Sequence, residues 1–213
     1  MESTHLMSHR TSRTRSIAFV GLSIAIMAVC AWVTIPFGPV PFTLQTFAMT
    51  FAILVLTPRE ALSAIAGYLV LGAVGLPVFS GMRGGIGMLA GPTGGFLWGF
   101  FIAAFAAIAV LELSRRMRDK NSLEEDTARS NRGFVAEGEN SVLSWIKGCG
   151  VELIAAVAFI VVAYFCGWLQ FMFVAGVGPL ESFLVTIAPF VLVDAAKIVA
   201  AVIAAQAVNR VVR

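Results

Sequence analysis

Ile187-Ala-Pro-Phe-Val-Leu-Val-Asp-Ala-Ala-Lys-Ile-Val-Ala-Ala-Val-Ile-Ala-Ala-Gln206 is an apolar run whose only charges are Asp194 and Lys197. A stretch of about 20 apolar residues is what one helical crossing of a bilayer needs. A charge near the bilayer centre costs roughly 2.5–3.5 kcal/mol on insertion scales. Two charges survive there if they pair, face an interior, or bind something polar. Residues three apart share one helix face, so pairing is available. Two readings stand: an ion pair that locks helices together, or a polar ligand site inside a membrane bundle. The second is favoured, because intramembrane ionisable residues are functional sites by default.

The rest of the chain agrees with a membrane reading. Hydrophobic residues make up 59% and charged residues only 13%, against about 25% charged in soluble domains. The mean hydropathy is +0.90. A chain of 213 residues has room for roughly six spans of about 20 residues. The expected fold class is an all-α membrane protein with six transmembrane helices and re-entrant or lid-like external loops. Residues 1–15 read as a polar N-terminal tail, and 16–213 as one transmembrane domain. The tail lacks the apolar core of a signal peptide, so the first apolar run is expected to stay in the mature protein.

The span candidates are about 16–35, 43–56, 60–75, 95–113, 146–173 and 183–208. The second is short, so the preceding Pro36-Phe-Gly-Pro-Val-Pro-Phe42 is expected to contribute to membrane depth. The stretch 114–141 is rich in charge and poor in aromatics, and reads as a flexible loop. Six spans put both termini on one side. All but two of the 15 Lys and Arg fall in the N-terminal tail, at Arg59, in the 114–147 region or at the C-terminal end. The positive-inside rule makes that side cytoplasmic. The exceptions are Lys197 and Arg83, an exterior cation without a topological reason to exist. The basic residues therefore do not imply nucleic acid.

Several segments could carry chemistry. Gly84-Gly85-Ile-Gly87 and Gly91-Pro-Thr-Gly-Gly95 put glycines at an external loop, where backbone can approach a ligand or a helix closely. They read either as turns packed on helices or as the lining of a cavity. Thr43 either caps the second helix or points into that cavity, and Gln45 either bonds neighbouring backbone or does the same. Cys30, Cys149 and Cys166 are scattered and read as small apolar packing residues, without disulfide or zinc spacing. The only histidines, His5 and His9, lie in the tail, and no GxSxG elbow occurs, so hydrolytic catalysis fits poorly. Glu152 is a candidate partner for a loop arginine. Ala18, Gly21, Ala25 and Ala28 form a small-residue face on the first span. It serves either internal packing or the docking of a partner membrane protein.

Pro39-Val-Pro-Phe-Thr-Leu-Gln45, Gly75-Leu-Pro-Val-Phe79, Gly84-Gly85, Gly91-Pro-Thr-Gly-Gly95 and Asp194-x-x-Lys197 occur together and in this order. The ordered set resembles the BioY family, the biotin-binding S-components of energy-coupling factor (ECF) vitamin transporters. The resemblance covers about residues 16–210 and carries nothing over to 114–141. It implies a six-helix S-component fold in the cell membrane, surrounded by membrane lipid, with a biotin pocket near the external surface. It implies a transmembrane coupling protein and two ATP-binding-cassette ATPases as partners, although some members act without a dedicated module. It assigns the ligand contacts to Asp194 and Lys197 and a lid to Pro39–Gln45. A polar contact near Gly81 and Met82 passes here to Arg83. No cofactor is implied, since biotin is the transported ligand.

Ligand chemistry agrees. Biotin has two ureido N–H donors, one ureido C=O, an apolar bicycle and a carboxylate tail. Asp194 can accept from a ureido N–H, Lys197 can donate to an oxygen, and Arg83 can grip the carboxylate. Phe42, Phe79 and Trp98 are candidates for the apolar wall. The rival readings are an S-component for thiamine or riboflavin, a stand-alone biotin transporter, and an intramembrane enzyme or structural protein.

Overall fold

A computed structural model of the chain describes residues 2–36, 38–130 and 141–212, with side chains for 13–36, 38–118, 120 and 149–211. The part of the expected loop at 131–140 lies outside the described residues. Eight helices and one short hairpin occur among them. In chain order these are α1 (Glu2–Trp32), β1 (Thr34–Ile35), β2 (Phe42–Thr43), α2 (Gln45–Val55), α3 (Pro58–Val74), α4 (Ile86–Ala90), α5 (Gly94–Ser130), α6 (Ser141–Ala175), α7 (Pro179–Thr186) and α8 (Val191–Val212). Among the described residues four stretches are long and apolar enough to cross a membrane: Arg13–Trp32, Gly94–Arg118, Cys149–Ala175 and Val191–Val211. By contrast α2 has 11 residues. At about 1.5 Å per residue it covers roughly half of a ~30 Å hydrocarbon layer.

Burying apolar side chains gains little when the alternative solvent is lipid, so close backbone contact and internal hydrogen bonds must hold such a bundle. The α5–α6 hairpin shows the first device. Gly95, Gly99, Ala103 and Ala107 recur every four residues on α5 and are buried. They face Ala155, Phe159, Ala163 and Gly167 of α6, which are also buried. A Cβ at Gly95 or Gly99 would meet the backbone of Cys166 or Ala163. The two helices run antiparallel, with Phe100 stacked on Phe159 at 5.8 Å. Gln170 shows the second device, donating to the carbonyls of Leu89 and Gly91 at 2.8 Å each and so pinning α4 to α6.

At the other end of the bundle α3 starts with a reciprocal cap. The Glu60 carboxylate accepts from the Thr57 N–H at 3.1 Å, and the Thr57 hydroxyl accepts from the Glu60 N–H. It stops at Gly75, whose φ of 113° suits glycine alone. The chain then turns through Phe79–Arg83, paired as an isolated antiparallel bridge. Phe79 is fully buried, and its ring occupies the space a side chain at Gly72 would need.

Four features differ from the sequence reading. The polar residues 2–15 continue α1 instead of forming a separate tail. The stretch 114–130 is the second half of α5, not a loop. It contains no Gly or Pro and is rich in Arg, Glu and other helix formers. The glycine-rich segment contains the short helix α4. The last span is broken into α7 and α8 by the turn 187–190. Pro189 lacks an N–H, and the residue before it avoids the helical region.

Candidate ligand-binding site

The α7–α8 break sets the position of Asp194. It falls in the first turn of α8, where unpaired N–H groups and the helix dipole favour a negative charge. Its residue is 3% exposed. Three side chains converge on its carboxylate. The Lys197 ammonium donates to Oδ1 at 2.7 Å, the Thr46 hydroxyl donates to Oδ1 at 3.1 Å, and the Tyr164 hydroxyl donates to Oδ2 at 2.6 Å. Lys197 also donates to the Thr43 carbonyl at 2.6 Å, so α8 holds the β2 strand as well as its own acid. The pair therefore does bond helices together, as the structural reading requires. It also faces open space.

That space is a cavity of about 230 Å³, well above the ~10–15 Å³ that a single water needs. The volume suits a small molecule. Its polar floor and wall include Asp194, Lys197, Thr43, Gln45, Thr46 and Tyr164. Phe79, Phe96, Phe100 and Ile160 supply apolar wall. The hairpin loop contributes Pro39, Val40 and Pro41, and the following turn contributes Ser80, Gly81 and Arg83. Pro39 and Arg83 are exposed while Asp194 and Gln45 are buried, so the polar groups grade from mouth to floor. Hairpin and turn are stitched together. Gly81 N–H donates to the Thr34 hydroxyl at 3.3 Å, and the Thr34 and Ser80 hydroxyls lie 3.2 Å apart. Met82, with φ of 57°, carries the left-handed strain of that turn. Among the described residues the Arg83 guanidinium has no ion-pair partner.

Of the residues singled out from the sequence, Asp194, Lys197, Thr43, Gln45, Phe79 and Arg83 line this cavity. Phe42, Gly84, Gly85 and Trp98 are not in its lining. Phe42 stacks on Phe190 with ring centroids 4.3 Å apart, one layer behind the wall. Gly84 packs where a Cβ would strike the Leu76 carbonyl, and the Gly85 N–H donates to the Gly72 carbonyl. Both glycines thus serve the turn. Trp98 is 50% exposed on the outer surface of the bundle. Thr46 and Tyr164 were missed by the sequence reading. The signal for Tyr164 was a phenol in the middle of an apolar span, which needs a partner when buried. Among the described residues Glu152 accepts from Gln206 Nε2 at 2.9 Å and has no arginine partner; the side chains of Arg129 and Arg132 lie outside them. On α1, Ala18, Gly21 and Ala25 are exposed, and Ala28 is buried in the core. No group of three or more His, Cys, Asp or Glu among the described residues could hold a metal ion.

The BioY family profile matches residues 3–213. The chain belongs to the BioY family. The Biotin transporter BioY of Rhizobium etli is 30% identical over 92% of this chain and 93% of its own length. The Biotin transporter BioY of Thermotoga maritima is 47% identical over 43% of this chain. The chain spans about half the length of that relative, 54%. A crystal structure of the S-component for biotin from an ECF-type ABC transporter has the same fold. The TM-score is 0.73 over 94% of this chain and 93% of that chain, at 20% identity. The resemblance read from the ordered motifs is thus correct at the level of family. The chain is a mainly helical membrane protein of the BioY family.

Proposed function

We propose that this chain binds biotin and serves in its uptake as the substrate-specific subunit of an ECF-type vitamin transporter. The observation that carries the reading is the cavity: an Asp194–Lys197 pair at its floor, a guanidinium unpaired among the described residues at its mouth, and aromatic wall between. A ureido head needs acceptors and a donor at the buried end, and a carboxylate tail needs a cation at the exposed end. The named relatives, biotin transporters, support the same ligand. Thiamine is a cation and would meet Arg83 and Lys197, with the one acid of the floor already paired. Riboflavin is bulkier, with a tricyclic ring and a polyol chain. Both suit the cavity less well.

In this reading Asp194, Lys197, Gln45 and Thr43 meet the ureido end, and Phe79 meets the bicycle. Arg83 takes the carboxylate, and Pro39–Gln45 forms the lid. The role is binding and transport without chemistry on the ligand. The spans are six: α1, α2 with the hairpin that precedes it, α3, α5, α6, and α7–α8 together. The non-helical hairpin is tolerable at membrane depth because it lines a cavity. Both termini and the 114–141 region are cytoplasmic, as the basic residues require. The exposed face of Ala18, Gly21 and Ala25 docks the transmembrane coupling protein, through which two ATP-binding-cassette ATPases act. A stand-alone transporter is the second reading, favoured only if uptake proceeds without them.

Mass spectrometry of small molecules released from protein purified in mild detergent tests the ligand. Biotin at near-stoichiometric amount is expected. Another vitamin in its place would overturn the assignment.

A further inference from the structure

Tyr68 is fully buried and does not line the cavity, yet it decides what the cavity offers. Its phenol has one proton. The oxygen lies 2.9 Å from the Val78 carbonyl, and a carbonyl can only accept. The proton is therefore committed to Val78. Gln45 Nε2 lies 3.0 Å from the same phenol oxygen. With its proton committed, that oxygen can only accept, so it must receive an N–H from Gln45. Flipping the amide would set its carbonyl against a phenol with no proton to give. The relay thus fixes an orientation that an isolated glutamine leaves open.

The consequence lies at the other end of the amide. Gln45 is 4% exposed and lines the cavity. Its Oε1 has no partner among the described residues. The fully enclosed polar side-chain atom without a partner among them is Thr50 Oγ1, not this one. The surface left to Oε1 is therefore the cavity. The phenol cannot swing away to release it. The Tyr68 ring is held edge-on by Phe79, with centroids 5.5 Å apart.

We propose that Tyr68 is a positioning residue that turns the Gln45 amide so that its oxygen, not its NH2, meets the ligand, and that Gln45 accepts from one ureido N–H. This rests on the biotin reading above. It completes the match to the ureido head. Asp194 accepts from the other N–H. The Lys197 ammonium uses two of its three N–H donors on the Thr43 carbonyl and Asp194, and the third is left for the ureido oxygen.

The test compares biotin with two cyclic carbamate analogues, each with one ureido N–H replaced by a ring oxygen. Affinities are measured by calorimetry on the wild-type chain, Tyr68→Phe and Gln45→Met. One analogue should bind the wild type about tenfold or more weakly than biotin, because its ring oxygen faces the Gln45 oxygen and neither is paired. In Tyr68→Phe the freed amide can turn its NH2 to the ring oxygen, so this preference should shrink severalfold toward one. In Gln45→Met it should fall to about one, while the preference against the other analogue, which reports on Asp194, persists. Loss of packing alone would weaken all three ligands together and leave the ratios unchanged. Unchanged ratios in the variants overturn the proposal, and if Tyr68→Phe does not fold, Gln45→Met decides on the same criterion. A wild type that binds biotin and both analogues equally overturns this inference and the ureido contact of Asp194, and leaves biotin as the ligand. A folded wild type that binds none of them overturns the biotin reading too.

Discussion

Replacing Lys197 by Met separates the two roles of the Asp194–Lys197 pair. The Asp194 side chain is 5% exposed and that of Lys197 11%. Lys197→Met removes the only cation bonded to the Asp194 carboxylate among the described residues, leaving it the Thr46 and Tyr164 hydroxyls. Removing one partner of a buried pair typically costs about 3–5 kcal/mol. Asp194→Asn strands the ammonium and is expected to cost a similar amount. The double variant Asp194→Asn with Lys197→Met has no stranded charge. An asparagine oxygen can still accept from Tyr164 or Thr46, and the main remaining loss is the donor to the Thr43 carbonyl, about 1–3 kcal/mol. The double should therefore be about 2 kcal/mol more stable than either single, which is a coupling of about 3 kcal/mol or more. Affinity should not follow stability. Ligand hydrogen bonds lost from the floor are not restored by removing both charges, so biotin binding should stay roughly tenfold or more below wild type. Thermal unfolding and calorimetry on the two singles and the double read both quantities. A double variant with near-native affinity would refute the ligand role and leave the pair a helix lock.

Arg83→Ala should weaken biotin about tenfold or more, the scale of one charge-assisted hydrogen bond, and leave the affinity of the biotin methyl ester nearly unchanged; equal losses for both would remove Arg83 from the carboxylate. In a cysteine-free background, Arg83→Cys should react with an impermeant thiol reagent in intact cells and Glu125→Cys should not; the opposite pattern would reverse the topology. Nothing lies within 4 Å of a Cβ added at Gly21, so Gly21→Trp and Ala25→Trp should leave biotin binding intact and block uptake. Unchanged uptake in both would show that this face does not dock the coupling protein.

The parts of this molecule that were readable from the sequence are those where a single residue breaks a strong local rule. Asp194 and Lys197 are charges in an apolar run, and Arg83 is a cation on the wrong side of the charge distribution. Orientation about a helix axis was not readable in the same way. Trp98 and Phe79 were equal candidates for the wall, yet Phe79 is buried over Gly72 and Trp98 is exposed on the outside. Aromatic residues suit wall, core and lipid alike, so only packing separates them. Thr46 and Tyr164 meet Asp194 across sequence separations of 148 and 30 residues, which no local pattern records. Other misses had a signal that was present and outweighed. Pro189 marked the α7–α8 break inside an apolar run that read as one span. The residues 114–130 lack any helix breaker, but their charge suggested a loop. The four-residue spacing of Gly95, Gly99, Ala103 and Ala107 was likewise a signal, and it marked the α5–α6 contact.

Titration calorimetry of biotin, thiamine and riboflavin into purified, folded protein tests the central claim most directly. The cavity floor and the cation at its mouth predict tight one-to-one binding of biotin and little heat from the other two. Folded protein that ignores biotin, or that binds thiamine or riboflavin as tightly, would contradict the account.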